Sequence, residues 1–366
     1  MSKVLYVAST KSHLDRFHQP YIKALREHAK VYTMATGEDV DFSIPFSKSF
    51  FSFKNFKNIL KIRKILKKER FDAVLLHTTL AAFLVRAAMI GMKKPPYVLN
   101  TVHGYLFPKN VQGLKNKVLL RCEKMLRKKT DEIAVMNEED REICQKYRLC
   151  RGSVHMTRGM GVSITPEIPE RDQALRAQYT SDEKDFVCLF VGELSHRKNQ
   201  MFLIQAAKKL HDVGFPIRLL LAGEGADRKE LEEVISQNNL ENTVFLLGNR
   251  EPILPFLSIA DLYVSASHSE GLPFNIMEAM SCGLPILASD TKGQNDLLNG
   301  STDALYPHGD LDAFCFMLRT IHSKGRFGVG TRCYPILENY RLSAVFEENM
   351  ELFTKGLPKE EGGTHE

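Results

Sequence analysis

Two glutamates eight positions apart, in Glu270-Gly-Leu-Pro-Phe-Asn-Ile-Met-Glu278, are the residues of this chain best placed to do chemistry. They straddle a loop-to-helix junction. Val264-Ser-Ala-Ser-His-Ser-Glu270 reads as the end of a buried strand and its exit loop, and Pro273 suits the first helical position, where a missing N–H is no loss. Such a junction offers backbone amides and a positive dipole end to an anion, while carboxylates accept hydrogen bonds from hydroxyls. A ligand carrying both phosphate and hydroxyls fits, which points to a sugar nucleotide. A Glu on an exposed helix face is ordinarily a solvated charge. Glu278, however, lies between Ile276-Met277 and Ala279-Met280, on a helix leading through Cys282-Gly283 into the apolar run 284–288. Its carboxylate is expected to be half-buried and in need of partners.

A second constellation, Val191-Gly-Glu-Leu-Ser-His-Arg197-Lys198-Asn199-Gln200, follows a strand-like run and precedes an amphipathic one. Arg197 and Lys198 add full charges to a helix N-terminus, a combination suited to a diphosphate. Gly223-Glu-Gly225 and Gly248-Asn-Arg250 also follow strands. The first is equally a tight turn or a phosphate contact; the second equally a plain loop or backbone groups that read a nucleobase edge. His103 ends a strand beside Gly104, which permits close approach, and is a candidate site residue by position. The polar stretch 9–21 reads as a loop able to meet an acceptor, and Arg158-Gly-Met-Gly-Val162 as a wall of the site. Asp39-Val-Asp41 has the form of an Asp-x-Asp metal motif but lies in a polar loop without sugar-nucleotide elements around it, so no metal site is expected.

The elements that must position these residues follow a βαβ alternation of short apolar runs and longer amphipathic ones. Strands are expected near 3–8, 30–34, 73–77, 96–102, 132–136 and 153–156, with helices near 18–28, 54–69, 79–90, 113–128 and 138–147. Further parallel strands are expected at 186–192, 217–223, 244–248, 260–265 and 284–288. Ligands of open parallel sheets bind beyond the carboxyl ends of the strands, so a cleft lined by these loops is expected. The 366 residues allow two domains, and the two prolines of 165–170 suit a linker.

Charge divides the chain in the same place. Residues 1–166 hold 31 Lys and Arg against 14 Asp and Glu, and residues 167–366 hold 19 against 30, so the first half is expected to face something anionic. Its most basic segment, 54–70, carries eight Lys and Arg and one acid. Phe56, Ile59, Ile62 and Leu66 recur at helical spacing, which predicts an inward apolar stripe and a basic outer face able to approach an anionic membrane surface. No nucleic-acid-binding module is present. The seven cysteines lack metal-ligand spacing and are expected as reduced thiols. No apolar run approaches the ~20 residues of a spanning helix. The start lacks the pattern of a signal peptide, so a cytoplasmic protein is expected.

With these motifs assembled, the chain resembles the family-4 retaining glycosyltransferases of the GT-B fold, an α/β architecture of two Rossmann-like parallel-sheet domains facing across a cleft. The resemblance covers nearly the whole length. It rests on Glu270 and Glu278 with Ala279-Met280 and Gly283-x-Pro285, on Val191-Gly-Glu-Leu with Arg197-Lys198-Asn199, and on the opening 4–10 with Phe17-His18-x-Pro20-Tyr21 and Val102-His103-Gly104. These last are similar to bacterial enzymes of capsular and exopolysaccharide assembly.

The resemblance implies an acceptor-side domain over 1–165, a sugar-nucleotide domain over 166–357 whose last helix returns to the first domain, and a disordered tail over 358–366. It implies a metal-independent hexosyl or N-acetylhexosaminyl transferase that uses a UDP-sugar donor, a lipid-diphosphate-linked saccharide acceptor and no cofactor, peripheral at the inner face of the plasma membrane. Lys198, assisted by Arg197, would neutralise the diphosphate, and Glu278 would bind the ribose. Glu270 with Gly271, Leu272, Pro273 and Phe274 would hold the sugar and distal phosphate. His103 would approach the sugar from the other domain, and His103, Lys198 and Glu270 would form the catalytic set, with Gly248 and Arg250 near the base. Two departures stand out: Glu193 replaces the Arg that many relatives carry after the loop glycine, and the first loop lacks their Gly-Gly. An epimerase on the same fold and a non-catalytic nucleotide-binding subunit are the alternatives, and the intact Lys198, Glu270 and Glu278 argue against the second.

Overall fold

A computed structural model of the chain describes residues 1–47, 52–162, 169–298, 304–324 and 334–358. It divides into two compact units, Met1–Gly161 with Leu342–Glu366, and Val162–Arg341. Most of the expected linker 165–170 and nearly all of the tail 358–366 lie outside the described residues.

The first unit is built on a parallel seven-stranded sheet: β1 (Lys3–Thr10), β2 (Lys30–Thr36), β3 (Phe42–Ser43), β4 (Ala73–His77), β5 (Tyr97–Val102), β6 (Glu132–Val135) and β7 (Val154–Met156), ordered β3-β2-β1-β4-β5-β6-β7. Residues 4–8 and 73–77 are fully buried, as strands covered on both faces must be. The second unit holds a parallel six-stranded sheet: β8 (Phe186–Val191), β9 (Ile217–Ala222), β10 (Val244–Gly248), β11 (Leu262–Ser265), β12 (Ile286–Ser289) and β13 (Leu305–Tyr306), ordered β10-β9-β8-β11-β12-β13. In each sheet the order reverses beside the first strand, between β1 and β4 and between β8 and β11. Those two reversals are where an open parallel sheet leaves a crevice at its carboxyl edge.

Three local expectations change. The stretch 9–21 is not a loop: Thr10 caps the helix Lys11–Phe17 by accepting from the His13 amide, and the helix expected near 18–28 follows at once as Gln19–His28. Pro273 is the cap of the helix Phe274–Ser281 rather than its first residue. The helix Phe53–Glu69 buries Asn55, Asn58, Ile62 and Leu66, and Phe56 points outward. The two asparagines face inward because they serve the preceding backbone: Asn58 Nδ2 donates to the Pro45 carbonyl at 2.9 Å, and Asn55 pairs with both amide and carbonyl of Ser47. Phe53 (88% exposed), Phe56 (61%) and Leu60 (56%) are thereby left on the outer face with Lys54, Lys57, Lys61 and Lys64.

The helix Leu342–Thr354 closes the first unit. Asn349 Nδ2 donates to Tyr21 Oη (3.0 Å) and to the Gly159 carbonyl (2.8 Å), and Tyr21 Oη donates to the Met160 carbonyl (2.9 Å). Arg158 pairs with Glu348 at 3.1 Å. Of the segment 158–162, expected to wall the site, Arg158, Gly159 and Met160 take part in fastening this helix. Cys122, Cys144, Cys150, Cys188, Cys282 and Cys315 are free thiols. No helix among the described residues is long and apolar enough to cross a membrane.

Candidate active site

At the reversal between β8 and β11, two loops from segments more than 70 residues apart are joined by charge. The loop 192–199 connects β8 to the helix Gln200–Asp212, and Asn199, in the left-handed conformation with φ 55°, sends Nδ2 to the Ala266 carbonyl at 3.2 Å. The His268 amide donates to the Arg197 carbonyl at 2.9 Å, which lays the loop after β11 alongside. Lys198 Nζ donates to Glu270 Oε1 at 2.6 Å and Arg197 Nη1 to Glu270 Oε2 at 2.8 Å, so each carboxylate oxygen has its own cation.

This triad carries one positive charge in excess. Lys198 and Glu270 are each 8% exposed, while Arg197 is open to solvent. Burial pushes the Lys198 ammonium below its ordinary value, with Glu270 opposing. Burial works against the Glu270 carboxylate too, but Lys198 and then Arg197 outweigh it and hold its pKa below the ordinary carboxylate range. Both Lys198 and Glu270 are therefore kept charged by each other in a place that disfavours lone charges.

The backbone around the triad depends on close approach. A side chain at Gly223, whose φ is +147°, would collide with the Gly192 carbonyl, and a Cβ on Gly293 would lie 2.6 Å from the Glu270 carbonyl. Gly223 and Gly225 are thus explained by packing against the loop 192–194. Beneath Glu270, the Ser267 carbonyl accepts from Ser289 Oγ (2.9 Å), Thr291 Oγ1 (3.0 Å) and Gln294 Nε2 (3.2 Å). These positioning residues were not anticipated, although 289–294 follows a strand in the same manner as the recognised loops.

Glu278 lies on the second turn of Phe274–Ser281, half-buried as expected. The Tyr263 phenol has its pKa driven up chiefly by burial, with the charges of Glu278 and Glu270 adding to the rise. Tyr263 Oη bonds the backbone of Val191, whose carbonyl also accepts from Asn275 Nδ2 at 2.7 Å. Leu272 and Pro273 are buried, and Gly271 and Phe274 half-buried, at the mouth of that helix.

The sequence matches two family models that meet these units, "Glycosyltransferase Family 4" over residues 8–157 and "Glycosyl transferases group 1" over residues 171–314. It is 30% identical over 335 residues to EpsD of Bacillus subtilis, a protein named as a glycosyltransferase, with 88% of each chain covered. The chain belongs to the family-4 glycosyltransferases.

The transferase is also 29% identical, over 71% of its length and 69% of the other's, to the UDP-Gal:alpha-D-GlcNAc-diphosphoundecaprenol alpha-1,3-galactosyltransferase of Escherichia coli. Among solved structures it is similar to HepE of Anabaena, crystallised with UDP (TM-score 0.72, 19% identity, 97% and 100% covered), and to sucrose-phosphate synthase of Thermosynechococcus elongatus (TM-score 0.76, 16% identity, 97% and 99% covered). Its two parallel-sheet units are those of the GT-B fold.

The remaining expected residues of the transferase lie outside the triad. Gly248 ends β10 and its carbonyl accepts from the Gly223 amide at 2.8 Å, while exposed Arg250 lies over the Phe256 ring at 5.5 Å. Asp41 accepts from the amide and hydroxyl of Thr33 at 2.7 and 2.9 Å, so it shapes the turn after β2. His103 lies just beyond β5 in the first unit, half-buried, with Nε2 enclosed and His13, His18 and His77 around it.

Proposed function

We propose that this glycosyltransferase moves a hexosyl or N-acetylhexosaminyl unit, with retention of configuration, from a UDP-sugar to a lipid-diphosphate-linked saccharide during cell-surface polysaccharide synthesis. The observation that carries the reading is the Arg197–Lys198–Glu270 triad, a partly buried excess positive charge at the sheet's switch point. On this reading Lys198 and Arg197 take up the diphosphate, Glu278 the ribose hydroxyls, and Gly248 and Arg250 the base. Glu270 and the backbone of 271–274 hold the sugar and distal phosphate, and His103 serves the sugar from the first unit. The names of the galactosyltransferase relative and of the HepE complex support a UDP-sugar donor and a lipid-linked acceptor.

The chemistry follows from charge. The acceptor oxygen bonds to the anomeric carbon on the face from which the nucleoside diphosphate departs, the bond to the diphosphate breaks, and the hydroxyl proton passes to a departing phosphate oxygen. Fixed cations stabilise the negative charge that develops there, which is the office a divalent metal serves in other transferases. A panel of UDP- and GDP-sugars, scored by thermal stabilisation and slow hydrolysis in EDTA, tests this. One UDP-sugar is expected to stabilise the protein with or without magnesium. Binding that requires manganese would return Asp39 and Asp41 to consideration, and free epimer formed without acceptor would favour an epimerase.

The same reading places the enzyme at the inner face of a membrane, with the outer face of Phe53–Glu69 against anionic lipid. Exposed Phe53, Phe56 and Leu60 among lysines have the composition of an interfacial helix. Converting Lys61, Lys64, Lys67 and Lys68 to Gln is expected to weaken sedimentation with anionic vesicles by about 1 kcal/mol per charge at low salt. Phe53→Ser with Phe56→Ser is expected to weaken it further in a salt-insensitive way. Vesicle binding untouched by both sets excludes this face.

A further inference from the structure

The reversal between β1 and β4 in the first unit holds a cluster that the transfer chemistry leaves largely unused. His13 and His18 follow β1, His77 ends β4 and His103 follows β5. One ring nitrogen from each of His13, His18 and His103 lies within 4.8 Å of the other two. Their Nε2 atoms are enclosed and have no hydrogen-bond partner. His18 is fully buried, and its Nδ1 is already bonded to Tyr6 Oη at 2.9 Å. His77, equally buried, stacks on Tyr6 with ring centres 4.7 Å apart and packs on His18 at 4.2 Å, forming the floor.

Three enclosed nitrogens without partners are costly, because each has given up water and gained no hydrogen bond in return. A proton does not: burial lowers His13 to about 4 and His103 to about 3, and burial with the neighbouring rings lowers His18 well below its ordinary value. The rings are neutral at pH 7, the form in which imidazole donates a lone pair to a metal. We propose that His13, His18 and His103 bind a divalent transition-metal ion of the Zn²⁺ class, with a fourth position left open.

The donor set selects the ion. Imidazoles suit Zn²⁺, Co²⁺ and Ni²⁺, whereas Mg²⁺ and Ca²⁺ require oxygen ligands, and no carboxylate belongs to this group. Tetrahedral bonds of ~2.0–2.1 Å place the nitrogens roughly 3.3 Å apart, so the cluster closes by about 1 Å per ring. Tyr6 orients the His18 ring from behind, as outer partners of metal-bound histidines do. The ion engages His103, and where that residue serves the sugar as proposed above, the metal-loaded enzyme is slower. That consequence rests on the functional reading; the binding does not.

The full-length protein, stripped with chelator and exchanged, is titrated with Zn²⁺ by calorimetry and with Co²⁺ by visible absorption. One ion per chain and the intense absorption of tetrahedral Co²⁺ are expected. His13→Asn and, separately, His103→Asn are expected to weaken binding by more than the roughly 10–100-fold that loss of an outer partner costs. His13 is the first choice because it lies on a short peripheral helix, and melting by circular dichroism verifies that each variant is folded. His308→Asn, which breaks the His268–His308 contact of 3.0 Å in the second unit, is expected to change nothing. The proposal is overturned by no saturable binding, by binding that survives both His13→Asn and His103→Asn, or by binding that His308→Asn abolishes.

Discussion

Lys198→Ala is expected to lower UDP affinity by about 2–5 kcal/mol and transfer by about 10²–10³-fold, the range for losing a buried charge contact and a preorganised transition-state donor. The loss has two parts. On the proposed reading the diphosphate loses its buried cation, and Glu270 loses the partner 2.6 Å away that offsets its burial, keeping the solvent-exposed Arg197 and a hydrogen bond with the Ser267 side chain. Glu270→Gln in the same chain removes the stranded charge, so the double variant is expected to regain stability without regaining UDP affinity. This separates the structural from the ligand-binding share.

The pH dependence of the pair follows with a definite sign. The folded Glu270 carboxyl lies below its unfolded value. Its contribution to stability is therefore complete above the unfolded carboxylate value and is lost as pH falls through the folded one, below about pH 4. In Lys198→Ala the folded carboxyl moves up toward its unfolded value, so this acid-side loss of stability is expected to shrink. Calorimetry that finds UDP affinity unaltered in Lys198→Ala would remove the diphosphate assignment.

The largest stability effect is expected in the first unit. Arg86 and Glu123 are 1% and 4% exposed and meet through two 3.0 Å hydrogen bonds, with Arg86 Nε also donating to the Ala82 carbonyl. A buried pair adds little over an apolar replacement, because desolvation consumes most of the attraction, but one stranded partner is severe. Glu123→Ala is expected to cost about 3–5 kcal/mol in urea denaturation, and Arg86→Met with Glu123→Leu to recover most of it. A cost below about 1 kcal/mol for Glu123→Ala would mean that the Arg86 charge reaches water.

Why some of this was legible and some not is plain in particular residues. The strand at 186–191 announces itself because six consecutive apolar residues must be covered on both faces, and Lys198 is legible because a cation after such a strand lies at the carboxyl edge by construction. Phe56 misled because Asn55 and Asn58 share the spacing of three that apolar residues show. The choice between the two faces was made by the backbone at 45–47, which needed amide partners. The stretch 9–21 looked like a loop for its polarity, yet Thr10 caps a helix there and His18 turns inward to Tyr6.

The sequence by itself determined the parallel α/β architecture, the loops that carry the charged residues and the family-4 identity, since each depends on residue type and short spacing. Tertiary structure alone decided the pairings: Lys198 with Glu270, Arg86 with Glu123, and His13, His18 and His103 around one point. The reason is physical. Spacing along a strand or helix follows from local geometry, whereas contacts between residues 37, 72 or 90 positions apart depend on which strands become neighbours when the order of each sheet reverses.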